Sequence, residues 1–301
     1  MEVFYSDRYT LELPETNRFP KAKYQMLRDY LLAEKILRPE ELKESPLAAT
    51  ELLKLAHDEK YVEAMRTGTV SQEILKSIGF PWSQALYARS CATVGGAVES
   101  AKSALKNGIA GNLAGGAHHS HADRGAGYCV FNDIAVAVRY LARHSLAGRI
   151  AIIDLDVHQG NGNSSILGRD PDVFIFSMHG EKNYPFRKVP SHLDIGLPDG
   201  TSDEVYLEHL ERGLREVEQF QPDFIFYQMG VDPLKEDSLG KLSLTFEGLM
   251  RRDQLVLEFA SSRNIPVSLA LGGGYAKPIE LSVKAYANTY RVVRQVYSEM
   301  R

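Results

Sequence analysis

The residue types best suited to chemistry in this sequence are carboxylates and imidazoles that follow short apolar runs. The runs are IAGNLA (109–114), RIAII (149–153), VFIF (173–176), DFIFY (223–227) and PVSLAL (266–271), and they lead into GGAHHSH, DLDVHQGNGN, SMHG, QMGVD and GGGYA. Runs of this length are typical of buried strands, and open parallel sheets bind ligands beyond the carboxyl ends of their strands. We therefore predict one site built from His118, His119, His121, Asp154, Asp156, His158, His179, Asp232 and Tyr275.

The D-x-D-x-H segment carries the strongest signal. Alternation along an extended chain sends Asp154, Asp156 and His158 to the same side. Two neighbouring carboxylates repel each other strongly unless a cation lies between them. A single aspartate after a strand is as often a helix N-cap, so the prediction of a metal site rests on the three residues together.

The ligand types indicate which metal is expected. Asp232, at the end of another strand, is the natural third ligand beside Asp156 and His158. Carboxylate oxygens with an imidazole and without a thiolate suit zinc in a catalytic site, and Fe(II), Mn or Co are alternatives. A fourth position open to water is what metal-assisted hydrolysis requires.

Two further features suit proton transfer and oxyanion stabilisation. The adjacent His118 and His119 titrate near neutral pH, so the pair can take a proton from a metal-activated water and return one to a leaving group. Tyr275 follows three glycines, which let the backbone approach a ligand, and its hydroxyl can donate to a developing oxyanion. Structural packing is the alternative at these positions, and it is the default interpretation for His121, His179 and Cys129.

Nucleotide and nucleic acid binding are disfavoured. GNGNSS after a strand resembles a phosphate-binding turn, but no G-K-[ST] follows and no G-x-G-x-x-G is completed. The 35 basic and 39 acidic residues give a formal charge of -4, which offers no broad positive field for phosphates. We expect no direct contact with nucleic acid.

Composition and cysteine usage indicate an ordinary globular protein of a reducing compartment. The chain is 44 % apolar and 25 % charged, which supplies ample material for a core. Its two cysteines, Cys91 and Cys129, cannot build a disulfide framework. The N-terminus lacks the pattern of a signal peptide, and no apolar run approaches the length of a membrane span. We expect a cytoplasmic protein that does not bind membranes.

The elements that hold the candidate residues are predicted from periodicity. Apolar residues recur three and four apart in AKYQMLRDYLLAEKIL, TELLKLAH and DEKYVEAMR, which predicts amphipathic helices in the first ~80 residues. Beyond residue 109 the apolar runs alternate with helical segments at 131–146, 203–219, 246–262 and 279–299. This alternation predicts an α/β fold, a central and mostly parallel sheet with helices on both faces.

The domain organisation is expected to be simple. The sequence has no internal repeat and no Pro/Ser-rich linker, so we predict a single domain over 1–301, with residues 1–80 packed on the sheet as a helical portion. The stretch from His179 to Thr201 has no clear period and contains three prolines and three glycines, which predicts a long loop.

Five motifs, in this order, resemble those of the metal-dependent histone deacetylase family: GGAHHSHADRGAGYCVFND, IIDLDVHQGNGN, FSMHG, QMGVD and LALGGGY. The sequence is most similar to class IV and bacterial histone deacetylase-like amidohydrolases, from near the N-terminus to about residue 290. The resemblance implies the arginase-like α/β fold and the removal of acyl groups from the amine nitrogen of lysine or, in some bacterial members, of polyamines.

The resemblance also implies a role for each matching residue. It makes the zinc ligands Asp156, His158 and Asp232, the tandem histidines His118 and His119, and the carbonyl-polarising tyrosine Tyr275. Asp154 would support His118 and would bind a structural potassium ion with Ser177, Met178 and main-chain oxygens. The acyl-lysine channel would be lined by Gly127, Tyr128, Tyr184 and Gly273.

The chain departs from the family pattern at two places. Asn161 stands where many members have an aspartate behind the second histidine, and this neutral acceptor stabilises an imidazolium less, so His119 should be the less basic of the pair. Around Gly79 to Trp82 the chain lacks the aspartate with which class I members hold the substrate backbone, and Trp82 is expected to shape the rim instead.

The expected activity is zinc-dependent hydrolysis of N-acyl-lysine amides, on an acyl-lysine peptide or protein or another acylated amine. His119 would take the proton from water and pass it to the departing amine, His118 would assist electrostatically, and the metal and Tyr275 would polarise the carbonyl. An acetylpolyamine amidohydrolase is the alternative. A ureohydrolase-like enzyme needs a second transition-metal site, for which too few Asp/His motifs are present. A silent acyl-lysine-binding module is expected to have lost a ligand or Tyr275, and none of these residues is missing. The acyl length, the physiological metal and the oligomeric state stay open.

Overall fold

A parallel sheet forms the centre of the molecule. The computed structural model describes residues 1–13 and 17–298. In that part of the chain the strands are β1 (Glu2–Tyr5), β2 (Leu42–Glu44), β3 (Ile109–Asn112), β4 (Ile150–Asp154), β5 (Val173–Gly180), β6 (Leu193–Leu197), β7 (Phe224–Gln228) and β8 (Val267–Ala270). They form one sheet in the order β2-β1-β3-β8-β7-β4-β5-β6, and all the pairings in it are parallel.

Helices connect these strands and follow the last of them. They are α1 (Lys23–Ala33), α2 (Thr50–Leu53), α3 (Glu59–Thr67), α4 (Gln72–Ile78), α5 (Gln84–Asn107), α6 (Asp133–Arg143), α7 (Asn161–Leu167), α8 (Asp203–Phe220), α9 (Phe246–Ser261) and α10 (Glu280–Ser298), with a short 3₁₀ helix at Pro39–Glu41. Side-chain caps fix several starts: Asn132 accepts from the amide of Ala135 ahead of α6, and Thr245 accepts from that of Gly248 ahead of α9.

The central strands are apolar on both faces, which creates two cores. In β4, Ala151 and Ile153 belong to the core that α1, α8, α9 and α10 cover. Ile150 and Ile152, which point the other way, belong to the core covered by α5 and α6. The result is a three-layer α/β architecture, which confirms the predicted fold class.

The strand prediction is right at the centre of the sheet and wrong at its periphery. All five predicted runs form strands, but β1, β2 and β6 are missed, and the sheet is parallel throughout the described residues rather than mostly so. The missed strands have three to five residues, and β2 and β6 are the two edges of the sheet. Short and partly polar edge strands carry little of the hydrophobic pattern from which a strand is recognised.

The N-terminal region is therefore more than a set of helices. The predicted amphipathic segments form α1, α2 and α3, but β1 also pairs with β3 and extends the central sheet. The predicted loop from His179 to Thr201 contains the end of β5 and all of β6. Residue 299 of the last predicted helix lies outside the described residues. Among the helices that are described, none is long and apolar enough to cross a membrane.

Candidate active site

Four strands deliver the candidate residues to one edge of the sheet. The loop after β3 carries His118 and His119, β4 ends at Asp154 and leads to Asp156 and His158, and the segment after β7 carries Asp232. Tyr275 follows β8. His118, His119, Asp156, His158 and Tyr275 line one cavity of about 380 Å³. The expected position beyond the carboxyl ends of the strands is thus where these residues meet.

Asp156, His158 and Asp232 form a compact cluster of metal-ligand type. Each offers one ligand atom within 4.8 Å of the others. Nδ1 of His158 is 3.0 Å from Oδ1 of Asp156 and 3.0 Å from Oδ2 of Asp232. Both carboxylates are almost fully buried. Two oxygens and one nitrogen without a thiolate are typical of a catalytic zinc or Fe(II) site rather than of a structural zinc site.

The electrostatics of this cluster favour a bound cation. Burial, with the charge of Asp156 adding to it, raises the pKa of Asp232 to about 7. Burial also acts to raise the pKa of Asp156, but His118 and His158 outweigh it and hold that pKa well below its usual range. Burial lowers and the two carboxylates raise the pKa of His158, with a net rise to about 10. A proton on His158 thus supplies the positive charge that a divalent metal would bring.

Backbone groups hold the two carboxylates in place. The amide of Val157 donates to Oδ1 of Asp232 at 2.9 Å, and the amide of Gly273 donates to Oδ2 of Asp156 at 2.6 Å. A Cβ at position 273 would lie 1.8 Å from Oδ2 of Asp232. The glycine is required there because no side chain fits between the loop and the carboxylate.

The tandem histidines have different partners. Nδ1 of His118 donates to Oδ2 of Asp154 at 2.8 Å, and Nδ1 of His119 donates to Oδ1 of Asn161 at 2.8 Å. Burial lowers the pKa of His118, but the charges of Asp154 and Asp156 outweigh it and raise that pKa. Burial, His118 and His158 hold the pKa of His119 well below its usual value. His118 therefore carries a proton more readily than His119, whose ring stays neutral to lower pH.

The loop that presents the histidines is held by a residue that the sequence did not single out. Asp133, at the start of α6, accepts from the amides of Gly116 at 3.1 Å and Ala117 at 2.8 Å. It is 0 % exposed, and burial raises its pKa. Asp133 thus anchors the chain directly before His118. Asp133 is the last residue of the quoted motif GGAHHSHADRGAGYCVFND, but an aspartate in the first turn of a helix is common without any role in a site.

The residues expected to hold potassium are neighbours. Asp154 and Ser177 are register partners in β4 and β5, and Met178 follows Ser177. All three are 0 % exposed. Ser177 shares a hydrogen bond of 3.0 Å with Nδ1 of His179, which gives one nitrogen of that buried imidazole a partner. Carboxylate, hydroxyl and main-chain oxygens are the ligands that hard cations prefer.

The expected channel residues line the same cavity as the histidines. Gly127, Tyr128, Tyr184 and Gly273 all contribute to its wall. The ring of Tyr184 meets that of His119 edge-on at 4.8 Å. Tyr128 has a positive φ of 67°, which is a strained conformation. Its backbone amide donates a hydrogen bond to the carbonyl of Ile78 at 2.8 Å, which holds this conformation. The ring of Tyr128 forms part of the cavity wall.

Tyr275 is positioned by a second residue that the sequence analysis missed. Oδ2 of Asp237 accepts from the amide of Tyr275 at 2.6 Å, while its Oδ1 accepts from the amides of Leu239 and Gly240, each at 2.8 Å. Burial raises the pKa of Tyr275 well above its usual value, so its hydroxyl stays protonated. It is thus a permanent donor.

One wall of the cavity comes from the N-terminal region, which the sequence analysis had treated only as helices. The wall consists of Phe19, Tyr24, Ser77, Ile78, Gly79, Phe80, Leu86, Arg89, Ser90 and Thr93. Most of these residue types are not typical of catalytic motifs, so no pattern pointed to them beyond the glycine and aromatics of GFPW. Trp82 is not among the cavity residues: its indole donates to the carbonyl of Met65 at 2.7 Å, which corrects the expectation that it shapes the rim.

Two residues assigned to plain packing touch the site. Cys129 lines the cavity, and its Sγ donates to the carbonyl of Gly127 at 3.4 Å. Nε2 of His121 accepts from Nδ2 of Asn161 at 3.1 Å. Asn161 therefore bridges His121 to His119, a contact that no spacing in the sequence announces.

A parallel α/β sheet with buried carboxylates and imidazoles converging on a cavity at its carboxyl edge is the arrangement of arginase-like amidohydrolases. Comparisons with known proteins narrow this class. The histone deacetylase domain model matches residues 17–290. The chain is 42 % identical to an uncharacterized protein of Picosynechococcus, and the match covers 98 % of this chain and 99 % of the relative.

Two further relatives are characterised by name or structure. Histone deacetylase 2 of Arabidopsis thaliana is 32 % identical over 92 % of this chain and 75 % of its own. The crystal structure of a histone deacetylase homologue from Aquifex aeolicus matches with a TM-score of 0.83 and 27 % identity, over 98 % of this chain and 83 % of that one. The chain belongs to the histone deacetylase family and is an amidohydrolase of the deacetylase type.

Proposed function

We propose that the protein hydrolyses N-acyl-lysine amides with the help of zinc. The observation that carries the proposal is the convergence of three groups on one cavity: a carboxylate and imidazole cluster, a pair of histidines with unequal basicity, and Tyr275. Each of the three meets one requirement of amide hydrolysis: the cluster would hold a Lewis-acid metal, the histidines would supply a base, and Tyr275 would donate a hydrogen bond to the oxyanion.

The metal is proposed to bind Asp156, His158 and Asp232. The donor set fits it, because two buried carboxylates side by side need a positive charge between them. When bound, zinc supplies Lewis-acid polarisation of the carbonyl and lowers the pKa of water. Fe(II) suits the same oxygen and nitrogen donors and is the second candidate.

His119 is proposed as the proton carrier. Its Nδ1 proton is donated to Asn161, so Nε2 is the basic atom of the ring. It takes a proton from water as the water oxygen bonds to the carbonyl carbon, and it passes that proton to the amine nitrogen as the C–N bond breaks. The products are a carboxylic acid, which ionises by giving its proton to solvent, and a free amine. His118, paired with Asp154, stays protonated and stabilises the developing negative charge.

Tyr275 is proposed to donate a hydrogen bond to the carbonyl oxygen as it becomes an oxyanion. Its raised pKa keeps the donor proton on the hydroxyl. Asp237 holds the main chain of Tyr275 in place before the reaction starts, and donors that are positioned in advance are the effective ones.

The walls of the cavity favour lysine over a polyamine as the carrier of the acyl group. The channel residues Gly127, Tyr128, Tyr184 and Gly273 present rings and backbone, which suit the four methylenes of lysine. Among the described lining residues Asp156 is the only carboxylate, and Arg89 adds a positive charge. The additional ammonium groups of a polyamine would therefore find no counter-charge in the wall.

A structural potassium ion is proposed near Asp154, Ser177 and Met178. Asp154 is fully buried and has His118 as its charged hydrogen-bond partner. A cation held by Asp154, the Ser177 hydroxyl and main-chain oxygens would stabilise the segment that leads to Asp156.

The proposal is tested with a panel of substrates. Zinc-loaded protein is incubated with acetyl-, butyryl- and myristoyl-lysine peptides and with acetylated diamines, and the released amine is measured. Turnover of at least one lysine substrate above the diamines is expected. Turnover of the diamines alone would transfer the assignment to polyamines, and no release from any substrate would contradict amide hydrolysis of this class.

A further inference from the structure

Asn161 lies between two imidazoles. Its Oδ1 accepts from Nδ1 of His119 at 2.8 Å, and its Nδ2 donates to Nε2 of His121 at 3.1 Å. Asn161 is 6 % exposed and His121 is 8 % exposed, so the protein itself supplies most of the hydrogen-bonding partners. The three side chains form a continuous chain of hydrogen bonds from the cavity to the loop at His121.

Among these three hydrogen-bonded side chains, the carboxamide of Asn161 is the group with two possible donor and acceptor orientations. A half-turn of the amide exchanges its carbonyl acceptor for its NH₂ donor. In the observed orientation the oxygen faces His119, which keeps the proton of that ring on Nδ1 and leaves Nε2 basic. In the reversed orientation the NH₂ group would face Nδ1, and His119 would carry its proton on Nε2, where it can no longer act as a base.

His121 favours the observed orientation. With the oxygen of Asn161 toward His119, its NH₂ group faces Nε2 of His121, and that nitrogen accepts when the neutral ring carries its proton on Nδ1. Burial and the positive charge of Arg124 lower the pKa of His121, against an opposing effect of Asp123, which keeps the ring neutral near pH 7. The backbone of His121 is held on both sides. Its amide donates to the carbonyl of Arg124 at 2.8 Å, and its carbonyl accepts from Nδ1 of His57 at 2.9 Å.

We propose that His121 is a positioning residue for the hydrolysis. It orients the Asn161 carboxamide and thereby fixes His119 in the tautomer whose Nε2 can accept a proton. The catalytic consequence rests on the proposed function, whereas the orientation of the amide does not. An aspartate at position 161 would present acceptors on both sides, so a device of this kind is needed only with the neutral side chain that this protein has.

Three substitutions separate acceptors from donors at this position. His121→Gln retains a possible acceptor, His121→Leu has none, and His121→Lys offers only donors, which favours the reversed amide. Because a general base contributes about 100- to 10,000-fold, we expect kcat within about 3-fold of wild type for Gln, about 10-fold lower for Leu and about 100-fold lower for Lys, with KM changed little. His144→Lys, the same substitution at an exposed position after α6, is the matched control and should leave kcat unchanged.

A spectroscopic measurement reads the tautomer directly. In zinc-loaded protein labelled with ¹⁵N-histidine, the wild type and His121→Gln should show His119 protonated on Nδ1, and His121→Lys should show the proton on Nε2. The His119 signal is assigned from its absence in His119→Ala. Equal kcat in the Lys and Gln variants with an unchanged His119 tautomer would overturn the proposal.

The remaining outcomes are also decisive. If His121→Lys does not fold, the same two measurements on Leu and Gln decide, and equal values overturn the proposal. If the wild type hydrolyses none of the substrates, the proposed function fails, while the tautomer of His119 in the variants still tests the role of His121.

Discussion

At the scale of single residues, the two adjacent histidines are made different by what stands behind them. A carboxylate supports His118 and a neutral amide supports His119, and the charges of His118 and His158 further reduce the basicity of His119. A base must be deprotonated to act, and His119 has a lowered pKa. The acidic limb of activity is therefore expected at low pH.

Asn161→Asp tests this difference. A carboxylate stabilises the imidazolium form and raises the pKa of His119, and since activity is lost when His119 is protonated, the acidic limb of the pH–rate profile should move to higher pH. The profile of kcat/KM is the measurement, with metal content checked in parallel. An unmoved acidic limb in a variant with full metal content would take the role of base away from His119.

Tyr275→Phe tests the oxyanion donor. Removal of one such donor typically costs about 100- to 1000-fold in kcat, and the fold and metal content should not change because the backbone bond to Asp237 is kept. Tyr140→Phe, at a position on α6 outside the cavity, serves as the control. Turnover near that of wild type on all acyl substrates would contradict the role of Tyr275.

Many of the residues at this site are predictable because their types announce chemistry. D-x-D-x-H and the adjacent histidines stand out in one sequence, and the structure brings them together. Asp133 and Asp237 do not stand out, since what they do depends on backbone amides that only the fold brings near. His121 stands out as an imidazole, but its contact with Asn161 does not. Supporting contacts of this kind have no sequence spacing of their own.

At the scale of elements, the glycine loop after β8 packs directly on Asp156 and Asp232, the two carboxylates of the proposed metal site. Gly273 donates its amide to Asp156 and leaves no room for a Cβ beside Asp232. The loop thus couples the position of Tyr275 to that of the cluster.

Gly273→Ala should displace Asp232 and weaken metal binding by about 10- to 100-fold, the usual range for changes in groups that orient metal ligands. Zinc affinity by competition with a chelator is the measurement. Gly196→Ala is the control, because the nearest atom to a Cβ there is 3.6 Å away and the contact is ordinary. Equal affinity in the two variants would show that the loop does not set the cluster.

The elements were predictable to different degrees for a physical reason. Central strands such as β4 are buried on both faces and therefore appear as unbroken apolar runs. The edge strand β2, with the sequence LKE, has one apolar residue, and it forms because β1 offers it a register partner. Pairing of that kind is not encoded in the local pattern.

At the scale of the whole molecule, the N-terminal region takes part in both the sheet and the cavity. β1 pairs with β3, and residues from Phe19 to Thr93 line one wall of the cavity. These contacts are consistent with the single domain predicted from the sequence, which stays a prediction.

A single domain should unfold in one cooperative transition. Calorimetry should give equal calorimetric and van't Hoff enthalpies, and zinc at about 100 times its Kd should raise Tm by about 5 °C, since that ligand excess adds about 2.7 kcal/mol. Asp156→Ala, which removes a ligand, should lose the zinc-dependent shift. Two resolved transitions in the wild type would contradict the single domain.

The measurement closest to the central claim compares wild-type protein with Asp232→Ala for both zinc content and hydrolysis. After reconstitution, elemental analysis and amine release from the best lysine substrate are recorded on the same samples. The account predicts one zinc and measurable turnover for the wild type, and loss of both for the variant with a native circular dichroism spectrum. Full zinc occupancy in the variant, or unchanged turnover without zinc, would contradict the assignment of Asp156, His158 and Asp232 as the metal site.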